Sequence, residues 1–126
     1  MFADRNATVM IPVTDLARAK RWYEEKLGLK PAEDMGEMGA AYKFGGGTRA
    51  FMYPTQYAGT AQNTMLGFDS PDLLADMKAL RAKGVVFHDY DLPGLKTEDG
   101  VAEFGEIKNA WANDSEGNIL AFVQGM

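Results

Sequence analysis

The chain contains a single histidine, His88, and a loop rich in carboxylates follows it. A histidine near several carboxylates could hold a divalent metal or act as a general base near neutral pH. The sequence offers no evident nucleophile for His88 to activate, and a histidine at a strand end beside a charged loop is more often simply exposed. We therefore predict no metal site and no catalytic role here. The acidic residues near it in sequence are Asp89, Asp91, Glu98, Asp99, Glu103 and Glu106.

A run of three glycines, Gly45 to Gly47, could cradle a phosphate group. Phosphate-binding loops of that kind continue into Gly-Lys-Ser/Thr and open a helix, and neither feature follows this run. A hairpin turn is the better interpretation. Arg49 just beyond the glycines and Lys96 in a later loop could meet an anionic group of a ligand, although a solvated charge is the commoner role for both.

The composition argues against several classes of function. The 126 residues include no cysteine, so the chain can form no disulfide, thiolate nucleophile or cysteine zinc site. Thirteen Lys and Arg against 18 Asp and Glu give a net charge of −5, which repels nucleic-acid phosphates and anionic lipids. We find neither a signal peptide nor an apolar run long enough to cross a membrane. We expect a cytoplasmic protein with no nucleic-acid or membrane partner.

The first half of the chain is predicted to form a strand, a helix and further strands. Thr8 to Val13 is β-branched and apolar, as a strand requires. Thr14 or Asp15 then caps a helix with apolar residues at helical spacing, and Gly28 ends it. The glycine run joins the last two predicted strands, 40–44 and 49–53.

The second half repeats this order. A strand over Asn63 to Phe68 precedes a helix that Ser70 caps and Gly84 ends. A strand over 85–88, a long loop and a closing hairpin around Asp114 to Asn118 complete the chain. The sequence therefore predicts one α+β domain, 1–126, of two βαβββ modules, 6–54 and 63–126, with curved mixed sheets and helices outside.

Several short motifs occur in a fixed order across both halves: Val13-Thr-Asp15-Leu, Trp22-Tyr23, Leu27-Gly28-Leu29 and Asp114-Ser-Glu-Gly117-Asn118. In this order they resemble the vicinal oxygen chelate superfamily, which includes glyoxalase I, bleomycin-resistance proteins and extradiol dioxygenases. The segment from Tyr90 to Thr97, together with Ala110-Trp111, is similar to a glyoxalase-like subgroup. The resemblance implies the glyoxalase/bleomycin-resistance/dioxygenase fold, and the function must be argued from the site.

Metal-dependent members of this superfamily place His, Glu, His or Gln, and Glu on four strands. The corresponding positions here are Thr8, then Phe51 or Met52, then Asn63, and finally Ala121. A divalent ion needs carboxylate or imidazole ligands, which these side chains do not supply. We expect no metal and no other cofactor.

The protein is rich in methionine and aromatic residues, which often line sites for apolar ligands. Strand alternation turns one face of each sheet to the helices and the other to a concave cup. We expect Trp22, Tyr23, Phe68 and Phe122 in the core. The residues that we expect to bind a ligand in the cup are Thr8, Met10, Met52, Tyr53, Asn63, Met65, Trp111 and Ala121.

The sequence favours a metal-independent protein that binds a small apolar or aromatic compound, in the manner of the bleomycin-resistance proteins. A metal-dependent lyase, isomerase or dioxygenase is the alternative, and an interaction module without a ligand is a third. Incomplete sheets leave strand edges that native proteins usually cover. We therefore expect a homodimer. A monomer whose two modules pair internally is the alternative.

Overall fold

The computed structural model describes residues 1–126, and its elements repeat in the predicted order. The first half contains β1 (Thr8–Val13), α1 (Leu16–Leu27), β2 (Glu33–Asp34), β3 (Ala40–Lys43) and β4 (Arg49–Pro54). The second half contains β5 (Thr64–Asp69), α2 (Leu73–Ala82), β6 (Asp91–Leu92), β7 (Leu95–Lys96), β8 (Ala102–Phe104), β9 (Ile107–Asn113) and β10 (Ile119–Gln124). The glycine run forms the turn between β3 and β4, with Gly46 at φ 68°.

The two halves build four-stranded sheets of the same topology. The strand orders are β1-β4-β3-β2 and β5-β10-β9-β8. β1 pairs in parallel with β4, and β5 pairs in parallel with β10. The other pairings are antiparallel. The α+β fold with two βαβββ units is therefore confirmed, while the boundaries 6–54 and 63–126 stay a prediction.

Local signals explain the helix bounds, with one correction. Asp15 caps α1 by accepting a hydrogen bond from the Arg18 amide at 3.0 Å, and Gly28 takes φ 70° at the other end. The cap of α2 is Asp72 rather than the predicted Ser70, because the Asp72 carboxylate accepts from the Ala75 amide at 3.2 Å.

The predicted strand over 85–88 is reduced to an isolated bridge between Phe87 and Ala112. After His88 the chain turns away into residues 89–101, which include the small β6–β7 hairpin, and it returns to β9 as β8. We call residues 89–101 the insertion. It places extra side chains beside β9 without widening the sheet.

The helix-facing sides of both sheets share one core of 18 buried residues. Tyr23 of α1 is fully buried in it, and Phe122 is 6% exposed, as predicted. Trp22 and Phe68 are partly buried and pack against the same cluster. Neither helix is long and apolar enough to span a membrane.

The opposite sides of the sheets carry no helix. We call them open face one, formed by β1 and β4, and open face two, formed by β5, β9 and β10. On β1, Ile11 and Val13 are fully buried while Met10 is 50% exposed, so the two sides of the strand differ as alternation requires.

Candidate functional site

Open face two is centred on Trp111 of β9. Its sequence neighbours Ala110 and Ala112 are fully buried against the helix layer, whereas the Trp111 side chain is only partly buried on the other side. Trp111 lies opposite Ala121 on β10. The small Ala121 side chain leaves the indole ring room on this face.

A second aromatic ring stands against Trp111 at a right angle. The ring centroids of Tyr90 and Trp111 are 5.5 Å apart with an interplanar angle of 87°. The His88 ring is in turn 5.7 Å from Tyr90 at 76°. Three rings therefore form a corner on open face two, in the edge-to-face geometry that aromatic pairs favour. We call His88, Tyr90 and Trp111 the aromatic corner.

Hydrogen bonds hold the aromatic corner in place. His88 Nδ1 is 2.7 Å from the Tyr90 hydroxyl oxygen, and His88 Nε2 is 3.1 Å from Asn113 Oδ1. The His88 amide also donates to the Trp111 carbonyl at 2.8 Å. The expectation that His88 is simply exposed is thus corrected, because it is partly buried and both ring nitrogens have partners.

The insertion that carries Tyr90 is itself organised by hydrogen bonds. The Tyr90 amide donates to Thr97 Oγ1 at 2.8 Å, and the Thr97 hydroxyl donates to Asp89 Oδ1 at 3.1 Å. The same carboxylate oxygen accepts from the Gly100 amide at 3.1 Å. The backbone of Tyr90 is therefore fixed from the far end of the insertion.

Open face one carries a second group of exposed apolar side chains. Met10 pairs with Phe51, and Pro12 pairs with Tyr53, across the parallel β1–β4 ladder. Phe51 and Tyr53 are partly exposed. Thr8, at the start of β1, pairs with Arg49. This face is apolar at its middle and cationic at one end.

Met52 does not face the cup, and this expectation is corrected. Its side chain is fully buried in the shared core, where its sulfur lies 3.9 Å from the Tyr42 hydroxyl. The glycine run allows two registers of β4 that differ by one residue, so the sequence did not decide between Phe51 and Met52. A shift of one residue moves a side chain to the other face of the sheet. Phe51 occupies the position on open face one instead.

Most of the remaining predicted site residues lie on the open faces. Thr8, Met10 and Tyr53 lie on open face one, and Trp111 and Ala121 lie on open face two, where Ala121 is only 4% exposed. Met65 lies at an irregularity of the β5–β10 ladder and packs against the core. Asn63 is exposed just before β5, and its side-chain amide donates to the carbonyl of Thr64.

The positions that hold metal in related enzymes do not fit a divalent ion in this structure. No group of three His, Asp or Glu side chains is close enough to ligate one. Thr8 is moreover the register partner of Arg49, so a divalent cation at the first position would lie near a guanidinium group of like charge. The donor set therefore does not match such an ion.

A buried ionic contact joins the two halves. Glu116, in the β9–β10 turn, accepts hydrogen bonds from the amides of Thr14 and Asp15 at 3.0 and 2.9 Å. Arg18 of α1 adds an ion pair at 2.9 Å. Burial alone would raise the pKa of Glu116, but these bonds and one from Ser115 outweigh it and lower the pKa to about 2.

Neighbouring residues of the same turn extend this contact. The Tyr23 hydroxyl donates to Asp114 Oδ2 at 2.6 Å, and burial beside that carboxylate raises the pKa of Tyr23. Asn118 donates from Nδ2 to the Pro12 carbonyl at 2.7 Å. We call Asp114, Glu116 and Asn118 with these partners the turn contact. The sequence predicts the turn but not its partners.

An apolar cleft of about 300 Å³ lies away from both open faces, between the C-terminal ends of the helices. Phe68, Phe122 and Leu80 line it. The Lys26 ammonium donates to the Lys83 carbonyl at 2.5 Å beside this cleft. The cleft is thus separate from the aromatic corner.

The fold defines a class of two-module α+β proteins whose sheets each keep one face free. The sequence model of the Glyoxalase/Bleomycin resistance protein/Dioxygenase superfamily matches residues 5–119. The chain belongs to this superfamily.

Solved structures share the fold at low sequence identity. A glyoxalase/bleomycin resistance protein from Catenulispora acidiphila has a TM-score of 0.70 and 18% identity, over 96% of this chain and 98% of that one. An antibiotic-binding protein from Streptomyces sp. CB03234 has a TM-score of 0.69 and 22% identity, over 100% and 99%. A glyoxalase/bleomycin resistance protein/dioxygenase from Alicyclobacillus acidocaldarius has a TM-score of 0.70 and 17% identity, over 96% of this chain and 91% of that one. No curated protein matches the sequence.

Proposed function

We propose that this chain is a metal-independent binding protein for a small apolar or aromatic compound. The observation that carries the proposal is the aromatic corner on open face two. Trp111 is held there partly exposed, with Tyr90 perpendicular to it. Aromatic rings in a site of this kind supply large contact areas with few moving parts.

The geometry of the aromatic corner favours a flat ligand. A planar ring that lies parallel to one of two perpendicular rings meets the other with its edge, and both arrangements are favourable. His88, the Tyr90 hydroxyl and Asn113 Oδ1 already bond to one another. The surface offered to a ligand is therefore mainly apolar, and its shape rather than a charge would select the compound.

The family supports this class of function. The superfamily includes bleomycin-resistance proteins, and one structural neighbour is described as antibiotic-binding. The metal-dependent alternative lacks a comparable observation, because Thr8, Phe51, Asn63 and Ala121 supply no carboxylate or imidazole. An interaction module without a ligand would leave the aromatic corner unexplained.

We further propose that the protein acts as a homodimer in which each open face is covered by a second copy. Met10, 50% exposed, and the partly exposed Phe51 and Tyr53 form an apolar surface on open face one. Joining the faces would give a cup with walls from both chains. The aromatic corner would then lie inside it.

The test is a fluorescence titration with aminoanthracene, an uncharged planar dye that brightens in apolar sites. The wild-type protein should bind it, and the Trp111→Ala variant should bind about five- to thirtyfold more weakly, because the loss of one stacking ring is worth roughly 1 to 2 kcal/mol. Trp22→Phe is the matched control, since Trp22 packs on Tyr23 beside the core. It should bind as the wild type does.

The same titration also tests metal independence. Preparations treated with EDTA should bind the dye with unchanged affinity, and mass spectrometry should find no stoichiometric divalent metal. Equal binding by wild type and Trp111→Ala would refute the site. A stoichiometric zinc, nickel, iron or manganese ion would refute the metal-independent mechanism.

A further inference from the structure

The ring of His88 connects two parts of open face two that are distant in sequence. Nε2 contacts Asn113 at the end of β9, and Nδ1 contacts Tyr90 at the start of the insertion. We propose that His88 is a positioning residue, which donates from Nε2 to Asn113 and through Nδ1 fixes Tyr90 beside Trp111. The inference rests on the proposed function, since it concerns the same ligand site.

The partners determine which ring nitrogen carries the proton. Asn113 presents its carbonyl oxygen Oδ1 to Nε2 at 3.1 Å, and this atom can only accept. With the Asn113 amide in this orientation, Nε2 is the donor. The unprotonated Nδ1 can then accept the hydroxyl hydrogen of Tyr90, at an oxygen to nitrogen distance of 2.7 Å.

The position of His88 is itself fixed independently of its ring. Its amide donates to the Trp111 carbonyl at 2.8 Å, and the preceding Phe87 is buried in the core. The imidazole therefore stands on a rigid support. A single hydrogen bond between the imidazole and the Tyr90 hydroxyl can therefore restrain the Tyr90 ring.

Tyr90 needs this hydrogen bond because the rest of its side chain is only partly buried. Its backbone is held by Thr97, but this contact does not stop the ring from rotating away from Trp111. If the Tyr90 ring became ordered only when the ligand binds, the free-energy cost of ordering it would lower the affinity. We therefore expect His88 to raise affinity without contacting the ligand through a polar group.

The experiment compares three variants in a Trp22→Phe background, where Trp111 is the remaining tryptophan. His88→Phe keeps a ring and removes both hydrogen bonds. His88→Gln removes the ring and keeps one acceptor and an N–H donor. Tyr90→Phe removes only the hydroxyl group. Each is titrated with aminoanthracene.

His88→Phe and Tyr90→Phe should each weaken dye binding about tenfold, and His88→Gln should restore most of it. The double variant His88→Phe/Tyr90→Phe should lose no more than either single variant, because both remove the same hydrogen bond. Nitrogen-15 spectra should show the Nε2–H tautomer, and the chain's single histidine makes the assignment unambiguous.

Wild-type affinity in His88→Phe, additive losses in the double variant, or an Nδ1–H tautomer would each overturn the positioning role. If the unsubstituted protein does not bind the dye, the proposed function fails for planar aromatic compounds. In that case, acrylamide quenching of Trp111 fluorescence tests the positioning role of His88 without a ligand. Stronger quenching in His88→Phe than in His88→Gln supports the role, and equal quenching overturns it.

Discussion

Glu116 shows how much of this structure depends on contacts that only the folded chain brings together. Its side chain is fully buried, and its charge is matched by donors 98 to 102 residues away in sequence. The sequence predicted the turn around Asp114 and Gly117, because glycine and asparagine mark turns locally. It could not predict the partners of Glu116, because no local pattern reports them.

The first prediction concerns Glu116 and pH. Its pKa of about 2 lies below the ordinary 4.5, so its ion pair stabilises the folded state above pH 4.5 and the contribution is lost as pH falls towards 2. The difference corresponds to on the order of 3 kcal/mol. Glu116→Gln should lower the free energy of unfolding at pH 7 by roughly 1 to 3 kcal/mol, measured by urea denaturation.

The Glu116→Gln variant should also lose less stability than the wild type between pH 4.5 and 2, because the titrating group is gone. Glu25→Gln is the matched control, since Glu25 is exposed on α1. Its unfolding curve should match that of the wild type. Equal stability of Glu116→Gln and Glu25→Gln would contradict a stabilising role for the turn contact.

At the scale of elements, local signals predicted the strands and helices well and their edges less well. The Asp15 cap and the Gly28 stop of α1 were found because both act within one helical turn. The register of β4 was missed because the glycine run permits two registers, and this misplaced Met52. The contact between Tyr90 and Trp111 was missed because the insertion doubles back on β9.

The second prediction concerns the close approach of the 55–62 segment to the β9–β10 turn. Gly59 has φ 71°, and a Cβ added there would lie 2.3 Å from the Glu116 carbonyl oxygen. Its amide also donates to Asn118 Oδ1 at 3.1 Å. Gly59→Ala should therefore lower the free energy of unfolding by about 2 kcal/mol or more, through backbone strain and displacement of the turn.

Gly46→Ala separates these two causes. Gly46 has a similar φ of 68°, but an added Cβ would meet nothing within 4 Å. Its substitution should lower stability by only about 1 kcal/mol, from backbone strain alone. If urea denaturation gives equal losses for the two alanine variants, the close approach at Gly59 does not contribute to stability.

At the scale of the whole molecule, the internal repeat explains why the sequence predicts the order of the elements but not how the two units join. Two βαβββ units share one core through their helix-facing sides, so the opposite faces are left without a covering layer. The repeat order was visible in the sequence because each unit has its own strand and helix signals. The joining of both units in one core was not, since it depends on the turn contact and on the packing of Phe44 against Phe68.

The last prediction is that the open faces meet in a homodimer. A 13.8 kDa chain with an apolar face around Met10, 50% exposed, and Phe51 gains free energy by covering that face with a second copy. Light scattering at micromolar concentration should give twice the chain mass, and Met10→Glu should give a mass near 13.8 kDa, because it would bury an unpaired charge. Leu74→Glu, at a 59% exposed position on α2, is the matched control and should stay dimeric. A wild-type mass near that of one chain would refute the dimer, and dissociation of Leu74→Glu but not Met10→Glu would place the interface on the helix side instead.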